Sequence, residues 1–168
     1  MEIWDLYDEH RNMTGKTHVR GEPIPDGYYH LLVEAWIRNS RGEYLISQRA
    51  ASRPMFPLQW ECVGGSALAG EDSITAVLRE IKEEVGLSLR PENGVLEFSV
   101  TGRMVRGRRF HDILDVYVFR YDGDVDLSRA DSGEVAQTRW MTVPDIRELY
   151  DAGEMVYTLG YFFEEIAE

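Results

Sequence analysis

Cysteine is almost missing: Cys62 is the one example in 168 residues. An intramolecular disulfide is therefore excluded, and a reducing compartment is expected. Cations are scarce as well. Lys and Arg number 18 against 30 Asp and Glu, for a formal net charge of −12. That charge argues against nucleic acid or an anionic membrane as the main partner, because both would be repelled. No stretch approaches the ~20 apolar residues of a membrane helix. The acidic start, MEIWDLYDEH, lacks the apolar core of a secretory signal. The expectation is a cytoplasmic protein. Linkers, internal repeats and low-complexity runs are absent too, so residues 1–168 read as a single domain able to bury a core.

Strands and helices are mixed along the chain. Ile3–Tyr7 reads as a short strand, followed by the turn-rich stretch DEHRNMTGK. Residues 29–37 are rich in β-branched and aromatic side chains. The turn Asn39-Ser40-Arg41-Gly42 leads from them into a strand over 43–48. Residues 59–63 should be the strand feeding a glycine loop, and further strands are expected at 96–102, 110–121 and 139–141. Helices are expected before Gly86, over 142–152 and over 157–167. Elements in this order predict an α/β (α+β) domain, a mixed sheet with helices on its faces.

Acidic residues are concentrated in one place. From Gly65 to Leu87 runs GSALAGEDSITAVLREIKEEVGL, which puts Glu80, Glu83 and Glu84 within one helical turn. At about 100° per residue they share a stripe. Like charges at this spacing repel by ~0.2–0.5 kcal/mol per pair, and the helix C-terminus adds its own negative partial charge. A bound divalent cation offsets both; Mg²⁺ takes one or two carboxylates plus waters and substrate phosphates. Ser73 and Ala76, small residues on the same stripe, are expected to leave room above the acids. Ile74, Val77, Leu78, Ile81 and Val85 form the adjacent core-facing stripe. For the acids alone, a solvated charged face is the competing explanation. The pair Gly65 and Gly70 has P-loop spacing, but Glu71-Asp72 follow where Lys-Ser/Thr should, so that reading is rejected.

Gly65, five residues, Glu71, seven residues, then Arg79-Glu80-Ile81-Lys82-Glu83-Glu84-Val85-Gly86-Leu87 resembles the Nudix box at every defining position. The resemblance implies a Nudix-type α/β/α sandwich with a mixed β-sheet and a loop–helix–loop catalytic motif over 65–87. It implies a metal-dependent hydrolase that cleaves the pyrophosphate bond of a nucleoside diphosphate linked to another moiety. By the same carry-over, Glu80, Glu83 and Glu84 hold Mg²⁺ or Mn²⁺, with Glu80 and Glu83 also catalytic. Gly64, Glu71, Arg79 and Gly86 are structural, Arg79 pairing with Glu71 to hold the loop against the helix. Gly65 presents its backbone to metal and phosphate. The general base is either Glu80 or a carboxylate on a distant loop, for which Glu134 is the leading candidate; an ordinary surface acid is the alternative for Glu134.

The flanking segments WDLYDEHRNMTGK and RGEPIPDGYYHLLVEAWIRNSRGEYLISQR resemble the isopentenyl-diphosphate-isomerase-like branch of Nudix proteins. An isomerase is therefore a rival. Aligned on the box, however, its catalytic cysteine falls on Gly64 and a metal-binding histidine on Ser66. Cys62 lies two residues earlier and reads better as a small buried hydrophobe. His30 matches a metal-site histidine, but its companion position is Pro23; Asp115 matches an acid, but its partner is Ile113. A non-catalytic ligand sensor is the second rival, and it predicts eroded box acids where none is eroded.

Substrate contacts are sought among cations. Arg103, Arg106, Arg108 and Arg109 crowd one stretch expected to be a loop between strands, and Arg106 and Arg108, with Arg49, are the candidate phosphate contacts. A solvated loop balancing charge explains the cluster equally well. Aromatics such as Phe56, Trp60, Phe110, Tyr117 and Trp140 read mainly as core. The expected partner is a small-molecule diphosphate, and the apolar-rich ends of the chain suit a homodimer interface.

Overall fold

Leu31, Val33, Ala35 and Ile37 leave one face of the strand His30–Arg38, and Leu32, Glu34 and Trp36 leave the other, so this strand feeds two cores. The computed structural model describes residues 1–167; the last residue of the expected domain, Glu168, lies outside the described residues. In chain order the strands are β1 (Ile3–Tyr7), β2 (Met13–Val19), β3 (His30–Arg38), β4 (Tyr44–Arg49), β5 (Trp60–Glu61) and β6 (Val63–Ser66). Helix α1 (Ser73–Val85) follows, then β7 (Gly94–Thr101), β8 (Met104–Val105), β9 (Arg108–Arg109), β10 (Asp112–Arg120), β11 (Val135–Met141) and α2 (Val143–Asp151).

The main sheet runs β11-β4-β3-β10-β7, with β5 on β4 and β6 on β3. Among the described residues the β10–β3 pairing is the one parallel strand pair in it, so the sheet is mixed. One face packs against α1 through Val77, Ile81 and Val85. The other packs against Ile146 of α2 and the C-terminal Leu159, Phe162 and Ile166. Helices on both faces of a mixed sheet make the expected α/β/α sandwich. Among the described residues no helix is long and apolar enough to cross a membrane.

Three local expectations are corrected. The turn-rich stretch after β1 holds a turn only up to residue 12; from Met13 it belongs to β2, which pairs antiparallel with β1 around this tight loop. The Asp8 carboxylate shapes that loop by accepting from the backbone of His10 and Asn12, each at 2.9 Å. The strand expected over 59–63 is split at Cys62, with β5 pairing to β4 and β6 to β3. The C-terminal helix is a 3₁₀ turn (Tyr157–Tyr161) followed by a π turn (Phe162–Ile166). Gly160 there lies so close to the Tyr150 hydroxyl that a Cβ would collide with it. Both ends of the chain put much of their apolar surface inward, Trp4 and Leu6 at one end and Phe162 and Ile166 at the other.

Candidate active site

α1 is fixed at both ends by its own residues. The Asp72 carboxylate accepts from Thr75 N–H at 2.9 Å, an N-cap worth ~1 kcal/mol. At the other end Gly86 takes φ 73°, a left-handed cap that favours glycine, and its N–H reaches the Lys82 carbonyl at 3.0 Å. Between these caps the apolar stripe locks the helix rotation. Ala76 belongs to that stripe: it is fully buried, and Ser73 is turned to the Asp115 carboxylate at 2.5 Å. Neither leaves room above the acids, contrary to expectation.

Arg79 organises the loop–helix junction. Its Nε donates to Glu71 Oε1 at 2.8 Å and its Nη2 to Glu71 Oε2 at 3.0 Å, a bidentate pair. Nη2 also meets the Ser66 carbonyl at 3.1 Å, so one guanidinium ties the glycine loop to the helix. Nη1 donates to Glu80 at 2.8 Å and to Glu83 at 3.1 Å. Burial would raise the Glu71 carboxyl, but the bonds from Arg79 outweigh it and hold it below the usual range.

The three expected metal acids differ in setting. Glu83 is half-open to solvent, whereas Glu84 is buried and accepts from Gly64 N–H at 3.4 Å. Burial pushes Glu80 up to about 7 against the pull of Arg79. Glu84 is pushed up by burial and then by the charges of Glu61, Glu80 and Glu134. Gly65 lies against Glu80 so closely that any Cβ would strike its carboxylate. Glu134, reached from the loop before β11, faces Arg53 at 2.5 Å. That loop is seated on α1 because the N–H groups of Asp131 and Ser132 both donate to the Glu83 carbonyl, at 2.9 and 3.1 Å.

A cavity of about 200 Å³ joins these groups: Glu80, Glu83, Glu84 and Glu134 line it together with Gly64 and Gly65. The oxygen-only donor set suits a hard divalent cation, and burying several carboxylates together leaves negative charge that such an ion would neutralise. Among the described residues no three acidic, His or Cys side chains converge tightly enough to enclose an ion, while Arg79 holds Glu80 and Glu83.

A second cavity, about 320 Å³, shares Leu32, Gly64 and Gly65 with the first. Arg49 lines it but is committed to Glu61, at 2.8 and 3.0 Å, and to the Met55 carbonyl at 2.9 Å. Burial raises Glu61 to about 7 despite Arg49. Arg106 and Arg108 are exposed on the β8–β9 hairpin, over the rings of Tyr157 and Phe110, and do not line this cavity. From the same run it is Arg103 that does, paired with Asp112 at 3.1 Å. Glu34, Glu61 and Asp112 also line it, and the sequence marks none of them except Glu34, which alternation along β3 puts beside Trp36 rather than Val33. Cys62 lines the cavity too, its thiol pushed well up by burial and then by the charges of Glu34, Glu61 and Glu84. A larger cavity, about 940 Å³, lies between β11 and α2, and none of the box acids lines it.

The family model described as NUDIX domain matches residues 28–159. The chain belongs to the Nudix hydrolase family. An uncharacterised Nudix hydrolase of Listeria innocua is 37% identical over 166 residues, covering 97% of this chain and 91% of that protein. An isopentenyl-diphosphate delta-isomerase of Shigella flexneri is 26% identical over 141 residues, 83% of this chain and 76% of the relative. Among solved structures, DR0079 of Deinococcus radiodurans superposes with a TM-score of 0.75 at 24% identity, each chain covered to 92%. At that identity the likeness speaks for the fold.

Proposed function

We propose that this Nudix hydrolase is a single-domain, cytoplasmic, Mg²⁺- or Mn²⁺-dependent pyrophosphohydrolase acting on a nucleoside diphosphate linked to another moiety. The observation that carries the reading is the meeting of Glu80, Glu83, Glu84 and Glu134 around one small cavity floored by Gly64 and Gly65. Glu80, Glu83 and Glu84 would hold the ion, which when bound neutralises charge developing on the diphosphate and acidifies a water. The chain's own residues do the positioning. Gly65 lets the Glu80 carboxylate approach the loop, and Arg79 holds that loop to the helix. Glu134 is the candidate base; its ion-pair partner Arg53 lines the same cavity. Turnover of a diphosphate panel with Mg²⁺ tests this reading. Glu83→Gln and Glu84→Gln should each lose most activity while melting as cooperatively as the parent, and retained activity in both would end the proposal.

The isomerase reading keeps one supporting observation. Cys62 and Gly64, the position its catalytic cysteine would take, line one cavity. Against it, the thiol is raised and buried, and Ser66, Pro23 and Ile113 stand where its metal and acid residues belong. Proton exchange on isopentenyl diphosphate that vanishes in Cys62→Ala would favour it. The ligand-sensor alternative gains nothing, since every box acid is present.

A further inference from the structure

The 320 Å³ cavity contains an unusual pair. Arg103 and Asp112 are joined by Nε and Nη2 to one carboxylate oxygen, at 3.2 and 3.1 Å. Their side chains are only 10% and 3% exposed. Yet Nη1 of Arg103 and Oδ1 of Asp112 are buried without any hydrogen-bond partner among the described residues. Buried polar atoms are nearly always paired, and an orphan costs free energy that an arriving partner restores. The other acids of the cavity are already served: Glu34 accepts from the Tyr161 hydroxyl and Glu61 from Arg49.

The two orphans define a chemistry. One is a donor and the other an acceptor, and their parent charges cancel within the ion pair. A phosphate would meet Asp112, Glu34 and Glu61, and a cation would meet Arg103 and Arg49, so neither is favoured. A neutral group offering both an acceptor and a donor satisfies the pair. Phe56 and Phe110 add apolar aromatic walls, the Arg103 guanidinium lying 4.9 Å from the centre of the Phe110 ring. Flat amide- or amidine-bearing heterocycles combine these properties: each nucleobase carries acceptors and donors on its edge and a face that stacks. Position agrees. A diphosphate on the Gly64–Gly65 floor would direct its organic end into this adjoining space.

We infer that the Arg103–Asp112 pair reads the edge of the substrate's nucleobase in this cavity and sets the base preference of the enzyme. The inference rests on the pyrophosphohydrolase reading for the placement of the diphosphate.

The test uses the full chain with the four ribonucleoside 5′-diphosphates and, as base-free probe, ribose 5-diphosphate. Binding is followed by calorimetry and turnover by 5′-monophosphate formation with Mg²⁺, from these compounds and from the nucleoside diphosphates linked to glucose. At least one nucleoside diphosphate should bind about tenfold tighter than ribose 5-diphosphate, because a polar site rejects ligands that leave its groups unpaired. Asp112→Asn exchanges an acceptor for a donor at nearly constant shape. It should change the ratio of kcat/KM between bases about tenfold, moving preference toward edges with two adjacent acceptors. In a folded variant, an equal loss across all five compounds that leaves that ratio fixed would overturn the inference. Equal affinity for all five in the parent would overturn it as well. Should Asp112→Asn fold poorly, Phe56→Ala, at a half-buried loop position, should shrink the advantage of nucleoside diphosphates over ribose 5-diphosphate; an unchanged advantage again counts against it. Base discrimination with no 5′-monophosphate formed from free or linked diphosphates would leave the pocket standing and bring down the hydrolase reading, and base-blind monophosphate formation would do the reverse.

Discussion

Glu71→Gln probes the clamp on which the site geometry depends. In the parent, two charge-assisted bonds from Arg79 and one from Leu68 N–H, at 2.9 Å, converge on this carboxylate. Glutamine keeps one acceptor and turns an amide donor toward a cation. Charged hydrogen bonds contribute about 1.5–3 kcal/mol each when buried, but Glu71 and Arg79 side chains are 16% and 21% exposed, which weakens them. Arg79 also retains Glu80 and Glu83. A net loss of about 2 kcal/mol is expected, equivalent to about 4–8 °C in Tm for a domain of this length. Thermal unfolding followed by circular dichroism in EDTA, so that metal contributes nothing, measures it. The depressed Glu71 carboxyl adds a pH signature. Its stabilisation is present above the ordinary carboxylate range and is lost as pH falls through the lower folded value, so parent and variant should converge in acid. A Tm difference below about 1 °C at neutral pH, or one that persists unchanged in acid, would refute the clamp argument.

Three further outcomes follow from other contacts. His30 is stacked on Trp4 with centroids 4.4 Å apart, and burial, His18 and Arg103 lower its pKa from 6.5 to about 4. Because the unfolded chain takes up that proton first, stability should decline as pH falls from about 6.5 to about 4, by up to about 3 kcal/mol; His30→Asn should flatten this decline in urea unfolding. Gly65→Ala drives a Cβ into the Glu80 carboxylate and should weaken Mn²⁺ binding about tenfold or more by calorimetry, with the fold retained. Arg11→Ala strips two bonds, at 2.7 and 2.5 Å, from fully buried Asp115. Ser73 and Ser99 still donate to it, so about 2–4 kcal/mol should be lost in chemical denaturation rather than the whole cost of an unpaired charge.

Where the chain's own neighbours decide a structure, the residues announce it. β1 begins and ends where alternation and aromatic content place it, and α1 is bounded by an Asp cap and a left-handed Gly, both local signals. β2 is different. MTGKTHV carries little apolar content and buries chiefly His18, so its strand character comes from the ladder to β1 rather than from its own pattern. The terminal segment has helical spacing at Leu159, Phe162 and Ile166, but the contact of Gly160 with Tyr150 is tertiary, and the backbone tightens and then widens there instead of forming a regular α-helix.

The same division runs through the site. Glu80, Glu83 and Glu84 are adjacent in sequence and could be found by spacing, yet their different burial could not, because Glu84 is covered by β6 and the Glu61 neighbourhood while Glu83 looks outward. The arginine run shows the limit most sharply. Arg103, Arg106, Arg108 and Arg109 are equivalent as letters, and the pair that matters forms because β10 lies parallel to β3, with Asp112 opposite His30 and the hairpin carrying Arg103 back over it. A cation search therefore selects the exposed members, whose charge water already satisfies. Within this run the cation that stands apart is Arg103, whose charge is spent on a carboxylate and whose remaining N–H is without a partner among the described residues.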